Sequence, residues 1–280
     1  MALYRSLSVV VPVYNAVDEL NHCLESLEAT VEPGVEVILI DDASPNTSVR
    51  EMLSAWAHRC LKGWRFERNE RNLGFVGTAN RGMRLVSGDV VLLNSDTVTT
   101  QGWLQGLQRC LDSDKNIATA TPWTNNGEIV SIPAFCASNP IPNDPDAVAG
   151  CIAAAGQVVY PEIPTAVGFC MAISRRAINR VGPFDEVLFG KGYGEENDFS
   201  MRVAKVGMRN VLCDDVYVVH LGGCSFGPLG LKPDENSMQR LLSRHPGYLE
   251  LVQDFIREDP LSARRQEILA ALDRAGLSLG

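Results

Sequence analysis

The chain has 280 residues, 45% of them hydrophobic and 21% charged, which is typical of a globular protein with one large domain or two small ones. Its formal net charge of −9 argues against a nucleic-acid-binding surface, because such surfaces are basic. The first predicted strand begins by Leu7, which leaves no room for a signal peptide, and no apolar run approaches the roughly 20 residues of a membrane-spanning helix.

The eight cysteines favour a reducing compartment. No two are spaced as C-x-x-C, so a zinc knuckle or a thioredoxin-like motif is not indicated. Most lie within apolar stretches, where a free buried cysteine is common. The sequence therefore predicts a cytoplasmic protein, and peripheral attachment at the inner face of the membrane stays open.

Strands and helices alternate along the first half of the chain. The β-branched run Ser8–Val13 predicts a strand covered on both faces, and apolar residues from Val17 to Leu27 recur at helical spacing. Further elements are strands at 35–40, 64–68 and 90–93, and helices at 49–61 and 75–86. This alternation indicates an α/β fold with a Rossmann-like, doubly wound, mostly parallel sheet and helices on both faces.

The second half begins with a proline-rich segment at 122–165, which predicts a long irregular connection of functional importance. Predicted next are a strand at 167–174, a loop at 184–194, a helix at 195–206 and a strand at 216–219 that ends in His220. From about residue 231 the pattern changes to polar helices with apolar stripes at 248–256 and 268–272. We expect this C-terminal extension outside the sheet core, with its stripes covered by the domain, a second subunit or a partner.

Two predicted strands end in carboxylates. The strand before residue 41 is followed by Asp41 and Asp42, and a later one by Asn94, Ser95 and Asp96. Ligands of open parallel sheets bind beyond the carboxyl ends of the strands, and Mg²⁺ usually bridges one or two carboxylates to substrate phosphates. The pattern predicts a phosphate-bearing ligand held through a divalent metal. The Asp42 side chain is expected to face solvent at its strand end, and capping of the following helix is an alternative role for it.

Several other residues have a structural and a functional interpretation. Pro12 and Tyr14 lie at the first strand-to-helix turn and could form a plain turn or wall a base-binding slot. Gly74 could start a helix or let the backbone approach a ligand at that helix N-terminus. His220 could be structural or a metal ligand, and Gly222 leaves space beside it.

Three acids, Glu195, Glu196 and Asp198, open the helix predicted at 195–206. Negative charge at a helix N-terminus stabilises the macrodipole, so a structural role is one interpretation. A catalytic role requires one of the three to face a cleft. Arg202 lies one turn after Asp198 and is expected to pair with it.

Six sequence blocks resemble, in order and spacing, those of family-2 glycosyltransferases. They are Val10-Val11-Pro12-Val13-Tyr14-Asn15, Leu39-Ile40-Asp41-Asp42-Ala43-Ser44, Asn72-Leu73-Gly74-Phe75 with Asn80-Arg81-Gly82, Leu93-Asn94-Ser95-Asp96, Gly192-Tyr193-Gly194-Glu195-Glu196-Asn197-Asp198-Phe199 with Arg202, and His220-Leu221-Gly222-Gly223-Cys224-Ser225. The resemblance covers residues 7 to about 226. It implies a GT-A fold in 1–230, with a nucleotide-binding half at 1–121 and an acceptor-binding half at 122–230, followed by the helical extension 231–280.

The resemblance also implies a metal-dependent, inverting glycosyltransferase that serves glycan or cell-surface polysaccharide assembly. The donor is a nucleotide-diphosphate sugar, with UDP or dTDP expected, and the acceptor is a hydroxyl-bearing glycan or a lipid-linked molecule. No nucleic acid and no transmembrane segment are expected, and a homo-oligomer or a partner bound through the C-terminal helices stays open.

Site residues carry over by position. Glu196 becomes the general base, supported by Glu195, Asp198 and Arg202. The implied nucleotide-binding residues are Pro12, Tyr14, Asp41, Asp42, Gly74, Asn80, Asn94 and Ser95. Asp96 and His220 become ligands of Mn²⁺ or Mg²⁺, and the imidazole tilts the choice toward Mn²⁺.

Two departures from the family pattern keep other functions open. Asn94 replaces the first Asp of the D-x-D metal motif, and Glu196 stands where Asp is usual. Both favour a non-catalytic nucleotide-sugar-binding module as the alternative. A sugar-1-phosphate nucleotidyltransferase would show a Gly- and Arg-rich loop after its first strand, and residues 12–16 do not form one.

Overall fold

The computed structural model describes residues 7–222 and 235–279. Gly223, Cys224 and Ser225 of the late histidine block therefore lie outside the described residues. Within those ranges, no helix has the length and apolar character needed to cross a bilayer.

The first half of the chain alternates strands and helices as predicted. The elements are β1 (Ser8–Val13), α1 (Val17–Thr30), β2 (Val37–Asp41), α2 (Thr47–His58), β3 (Trp64–Arg68), α3 (Gly74–Leu85), β4 (Val90–Leu93) and the short β5 (Thr97–Val98). Asn46 caps α2 by accepting a hydrogen bond from the Ser48 backbone N–H.

The remainder of the chain, from residue 103 onward, contains more regular structure than the sequence indicated. Its elements are α4 (Trp103–Ser113), β6 (Ile117–Trp123), a 3₁₀ turn (Glu128–Val130), α5 (Pro145–Ala154), β7 (Cys170–Ile173), α6 (Arg175–Val181), α7 (Glu186–Phe189), α8 (Glu195–Lys205), β8 (Arg209–Tyr217), β9 (Val219–His220), α9 (Glu235–Arg244), α10 (Tyr248–Glu258) and α11 (Ser262–Arg274). The segment 122–165, predicted to be irregular, contains α5, which Asp144 caps at its N-terminus. The late strand begins at Arg209, not at 216.

Seven strands form one sheet in the order β3-β2-β1-β4-β7-β6-β8. Only β7 runs antiparallel to its two neighbours, β4 and β6, among the strands of this sheet. The predicted doubly wound, mostly parallel architecture is therefore confirmed. A second, two-stranded sheet pairs β5 with β9 antiparallel at the carboxyl end of β4.

Two hydrophobic clusters lie on opposite faces of the main sheet. Successive strand residues alternate between them, because side chains of a strand point to opposite faces. Val9 and Val11 belong to one cluster and Val10 to the other. Helix α3 packs so closely on β1 that a Cβ at Gly82 would lie 2.2 Å from Val10 Cγ1.

The C-terminal extension is helical, as predicted, but the expectation that it lies outside the core is wrong. Leu241 and Tyr248 are buried in the cluster that contains Val10. Ile268 and Leu272 are buried in the other cluster. The apolar stripe of α10 is only partly buried: Tyr248 lies in the core, whereas Leu249, Leu251 and Ile256 are exposed on the surface. The extension thus covers apolar surface on both faces of the sheet.

Candidate active site

The small β5–β9 sheet brings Asp96 and His220 together. Thr97 is paired with His220, and the Leu221 backbone N–H donates to the Asp96 carbonyl oxygen at 2.9 Å. The His220 Nε2 atom then lies 3.6 Å from Asp96 Oδ1, too far for a hydrogen bond. Residues 124 positions apart in the chain are therefore fixed next to each other by backbone pairing.

The ring orientation of His220 is set by Asn126. His220 Nδ1 lies 2.6 Å from the Asn126 carbonyl oxygen, which can only accept, so Nδ1 carries the proton. In the neutral ring the Nε2 lone pair then faces Asp96. Metal-binding histidines are commonly oriented by such a second hydrogen bond. The space predicted beside His220 is partly taken by Asn126, since a Cβ at Gly222 would lie 2.1 Å from Asn126 Nδ2.

Asn125 and Phe169 fix the backbone and ring of His220 further. The Asn125 amide accepts from the His220 N–H at 2.9 Å and donates to the His220 carbonyl at 3.1 Å. The Phe169 ring stacks on the imidazole at a centroid distance of 5.2 Å. The sequence analysis did not identify these residues. The run Asn125-Asn126-Gly127 is typical of a loop, but nothing in it indicates that the loop contacts His220.

The Asp96 carboxylate is buried but not satisfied. Asp96 is only 3% exposed, and its Oδ1 atom has no hydrogen-bond partner within the described residues. A buried charge normally requires pairing or metal coordination. Burial disfavours protonation of His220, yet Asp96 and the Asn126 carbonyl outweigh it and raise the pKa of His220. The oxygen and nitrogen donors therefore fit a divalent cation.

Among the charged and imidazole side chains that the structure describes, these two are the candidate ligands. Within residues 7–222 and 235–279, no group of three or more His, Cys, Asp or Glu side chains could hold a metal ion. Few protein ligands are usual for Mg²⁺-type sites, where waters and substrate phosphates complete the coordination.

Glu196 packs beside the Gly168–Phe169 segment that contacts His220. A Cβ at Gly168 would lie 3.9 Å from Glu196 Cγ, and Gly168 precedes the Phe169 that stacks on His220. Burial raises the pKa of Glu196 from its ordinary 4.5 to about 7, and the charge of Glu128 adds to this effect. A carboxylate with a pKa near neutrality is suited to general-base catalysis.

The other members of the acidic motif are buried. Glu195 is 4% exposed, its Oε2 has no hydrogen-bond partner in the described residues, and burial raises the pKa of its carboxyl well above the usual range. Asp198 is fully buried and accepts from Arg202 Nε at 2.7 Å, as predicted. Arg202 also donates to the carbonyl of Val181 at 2.6 Å, which ties α8 to the C-terminal end of α6.

The strand-end acids of β2 have different surroundings. Asp41 pairs with Arg68 and accepts from the Ser44 N–H, so its carboxylate holds the turn after β2. Asp42 was expected to face solvent, which is wrong because it is 3% exposed. Its carboxylate accepts from Asn69 and from the backbone N–H groups of Leu73 and Gly74, at 2.7 to 2.8 Å.

Two predicted nucleotide contacts do not fit the structure. Gly74 was expected to allow a ligand to approach, but a Cβ there would lie 2.6 Å from the Lys191 backbone, and its N–H is used by Asp42. Asn80 donates to the Phe184 carbonyl at 2.9 Å and to Glu186 at 2.8 Å, and it accepts from the Phe184 N–H. Both residues therefore join α3 to the loop around α7.

Pro12, Tyr14 and Asn94 keep partly exposed side chains, while Ser95 is buried. Asn15 and Ala16, directly after Tyr14, both adopt a left-handed backbone conformation with φ of 54° and 53°. Such strain is uncommon outside glycine and is often found at functional sites. The turn after β1 thus remains a candidate wall of the nucleotide site.

Known proteins resemble this chain over much of its length. The glycosyltransferase GlyA of Streptococcus pneumoniae is 26% identical over 130 residues, which are 45% of this chain and 18% of that protein. The structure of GalNAc-T7 with UDP, GalNAc and Mn²⁺ has a TM-score of 0.65 at 15% identity and covers 86% of this chain and 48% of its own.

The mannosyltransferase PcManGT of Pyrobaculum calidifontis, solved with GDP-Man and Mn²⁺, has a TM-score of 0.55 at 15% identity and covers 97% of this chain and 75% of its own. These structures confirm the GT-A fold. This chain spans only about a fifth of the length of GlyA and about half of that of GalNAc-T7. The family model "Glycosyl transferase family 2" matches residues 8–182, more than half of the chain. The chain therefore belongs to glycosyl transferase family 2.

Proposed function

We propose that this chain transfers a sugar, with inversion and with the help of a divalent cation, from a nucleotide-diphosphate donor to an acceptor hydroxyl. The observation that carries the proposal is the unsatisfied Asp96 Oδ1 facing His220 Nε2, with Glu196 next to Gly168, the residue before the Phe169 ring that stacks on His220. Membership of the family supports the sugar transfer, and the UDP, GalNAc and Mn²⁺ held by GalNAc-T7 and the GDP-Man and Mn²⁺ held by PcManGT support the nucleotide and the cation.

Glu196 acts as the general base. It removes the proton of the acceptor hydroxyl as that oxygen forms a bond to the anomeric carbon, and the bond from that carbon to the diphosphate oxygen breaks with its electron pair. The proton ends on Glu196 and the nucleoside diphosphate leaves. One displacement by one base inverts the anomeric centre, and such a base typically contributes ~10²–10⁴-fold.

Asp96 and His220 are proposed to hold Mn²⁺ or Mg²⁺ together with donor phosphate oxygens. The bound cation would neutralise charge that develops on the leaving diphosphate. The Asn126 carbonyl accepts the hydrogen bond from the protonated Nδ1 of His220, so the Nε2 lone pair stays free to bind the cation. The nitrogen ligand favours Mn²⁺ over Mg²⁺.

The nucleotide is proposed to bind over the carboxyl ends of β1 and β4, in the half formed by residues 1–121. Pro12 and Tyr14 line the base, and Asn94 contacts the ribose or the cation as a neutral ligand. Asp41 and Asp42 act by holding the turns beneath it, through the bonds described above. UDP or dTDP is the expected nucleotide, and the acceptor occupies the half formed by residues 122–230.

The acceptor is proposed to be a hydroxyl-bearing glycan or a lipid-linked molecule of cell-surface polysaccharide assembly. The acidic net charge fits an uncharged or cationic acceptor better than a nucleic acid. The seven cysteines within the described residues are free, which supports a reducing, cytoplasmic location, with attachment at the inner membrane face as one arrangement.

A donor screen tests the proposal. UDP-, dTDP- and GDP-sugars are offered with a panel of glycan acceptors, and release of the nucleoside diphosphate is measured with Mn²⁺, with Mg²⁺ and with EDTA. We expect turnover with a single donor, loss in EDTA and recovery with Mn²⁺ at least equal to that with Mg²⁺. Full activity in EDTA would contradict the metal role of Asp96.

The alternative is a non-catalytic nucleotide-sugar-binding module, which Asn94 favours because it lacks the charge of the usual first Asp. Such a module would bind one nucleotide sugar, measured by calorimetry, and release no nucleoside diphosphate with any acceptor.

A further inference from the structure

The C-terminal extension reaches the acidic motif through His245. This residue directly follows α9 and is 2% exposed. Its Nε2 lies 2.8 Å from Asp198 Oδ1, and its Nδ1 lies 3.0 Å from Lys205 Nζ. Asp198 is in the first turn of α8 and Lys205 in the last, so one imidazole spans both ends of one helix face.

The tautomer of His245 follows from its partners. A protonated lysine has three donors and no acceptor, so Lys205 must donate and Nδ1 must accept. The ring proton is then on Nε2, where it is donated to the Asp198 carboxylate. His245 is thus neutral, accepts a hydrogen bond from Lys205 and donates one to Asp198, so both of its ring nitrogens are hydrogen-bonded within the protein.

Asp198 depends on these donors because it has no access to solvent. It accepts from Arg202, from His245 and from Arg244 Nη1 at 3.1 Å. Although burial alone would raise the pKa of Asp198, the bonds from His245 and Arg202 outweigh it and lower that pKa. Two of its three partners come from the extension. Arg244 also donates to Asp185 at 2.8 Å, at the start of α7.

The same turn of α8 carries the proposed base. The Asp198 N–H donates to the Gly194 carbonyl at 2.8 Å, which closes the first turn around Glu195 and Glu196. That turn follows three residues with positive φ, namely 141° at Gly192, 71° at Tyr193 and 99° at Gly194. Positive φ is ordinary for the two glycines, whereas at Tyr193 it is a strained conformation that persists only where its surroundings hold it. Asp198, held by the extension, is one such support.

We propose that His245 is a positioning residue, which fixes the first turn of α8 through Asp198 and so holds the Glu196 carboxylate in its working position. This inference rests on the proposed function of Glu196. It makes the extension part of the catalytic apparatus, although no residue of it described here contacts Asp96 or His220 in the hydrogen bonds and ion pairs of the site.

The test compares four variants of the full chain. His245→Leu removes both hydrogen bonds at similar volume, whereas His245→Gln retains one donor for Asp198 and one acceptor for Lys205. Lys205→Met removes only the outer bond. Arg264→Leu is the matched structural control, because it breaks another buried tie of the extension, to Asp214 at 2.9 Å, on α11 and away from α8.

We expect His245→Leu to lower kcat by about 10- to 100-fold, a loss typical of a misplaced catalytic group, with little change in the donor KM. His245→Gln should recover most of that loss and Lys205→Met should be mild. Arg264→Leu should lower the unfolding midpoint while the folded enzyme keeps its kcat. Proportional losses of kcat and stability in all four variants would overturn the proposal.

Amide hydrogen exchange supplies a readout that needs no turnover. In His245→Leu, exchange of the backbone N–H groups in 194–199 should become faster while those of β1 stay protected. Unchanged exchange in 194–199 would overturn the positioning role, even in an active enzyme. If the wild-type chain proves inactive with every donor but exchange changes as expected, the proposed function fails and the support of α8 by His245 stands.

Discussion

Asp42 and Asp96 are a matched pair with opposite surroundings. Each follows the carboxyl end of a parallel strand, and each is 3% exposed. The Asp42 carboxylate accepts three hydrogen bonds from Asn69, Leu73 and Gly74. Oδ1 of Asp96 accepts none within the described residues.

The difference teaches which strand-end acid can bind a ligand. A carboxylate saturated by protein donors stabilises the fold, because its burial is already compensated. One left unsatisfied is costly unless something outside the chain completes it. The same contrast separates Asp198, with three donors, from Glu195 and Glu196, whose pKa values burial raises.

The largest expected effect is on turnover in Glu196→Gln. The amide keeps the size of the side chain but cannot accept the acceptor proton, so kcat should fall by roughly 10²–10⁴-fold with the donor KM nearly unchanged. Steady-state release of nucleoside diphosphate measures both constants. Glu195→Gln is the control and should be milder, because Glu195 is buried beside the base. A near-normal rate in Glu196→Gln would move the base to another acid.

Asp96→Asn should have the next largest effect. It removes the charge of a carboxylate whose Oδ1 has no hydrogen-bond partner in the described residues, so Mn²⁺ binding in the presence of UDP should weaken, and turnover should fall by about 10²-fold if the cation supplies several kcal/mol. Calorimetric titration with Mn²⁺ measures the affinity. The free energy of unfolding should not fall, since no hydrogen bond to Oδ1 is lost. A destabilised variant with unchanged Mn²⁺ affinity would make Asp96 a structural residue.

Much of the architecture could be predicted because it depends on local pattern. The β-branched run of β1 and the helical spacing of α1 follow from burial on two faces, and the strand-end acids follow from the parallel sheet. Asp96 and His220 were brought together in the prediction by the family resemblance. The pairing of β5 with β9 that does this in the molecule is two residues long and leaves no sequence signal.

Partner choice was beyond local pattern. The sequence around Asn80 does not show that the Asn80 amide binds the Phe184 carbonyl, 104 residues later, and so joins α3 to that segment. The exposure of Asp42 was mispredicted for the same reason, because its three donors come from the next βα connection. The extension was placed outside the core although its stripes pack on both clusters, since amphipathic spacing shows that a face is covered but not by what.

The pH profile should sharpen the distinction between Glu196 and the saturated acids. Burial raises the pKa of Glu196 to about 7, and the base works in its deprotonated form. At saturating Mn²⁺, kcat/KM should therefore fall by about tenfold between pH 8 and pH 6. The residual activity of Glu196→Gln should lack this acidic limb. A limb of equal size in the variant would assign it to another group.

Asp42→Asn should have the smallest effect on turnover and a clear effect on stability. It makes the same chemical change as Asp96→Asn at the same exposure, so the two variants form a direct comparison. The NH₂ group of the new amide would face one of the three protein donors, which could then no longer form its hydrogen bond, and the negative charge would be lost. The free energy of unfolding should therefore fall by about 1.5–3 kcal/mol. Urea unfolding measures this. The Kd for UDP should change little, because the protein donors already occupy the carboxylate. A direct hydrogen bond from the nucleotide base to Asp42 would contribute at least about 1.5 kcal/mol to binding. A loss of UDP affinity of about tenfold or more, without a loss of stability, would therefore place Asp42 in contact with the nucleotide. The contrast with Asp96 would then be wrong.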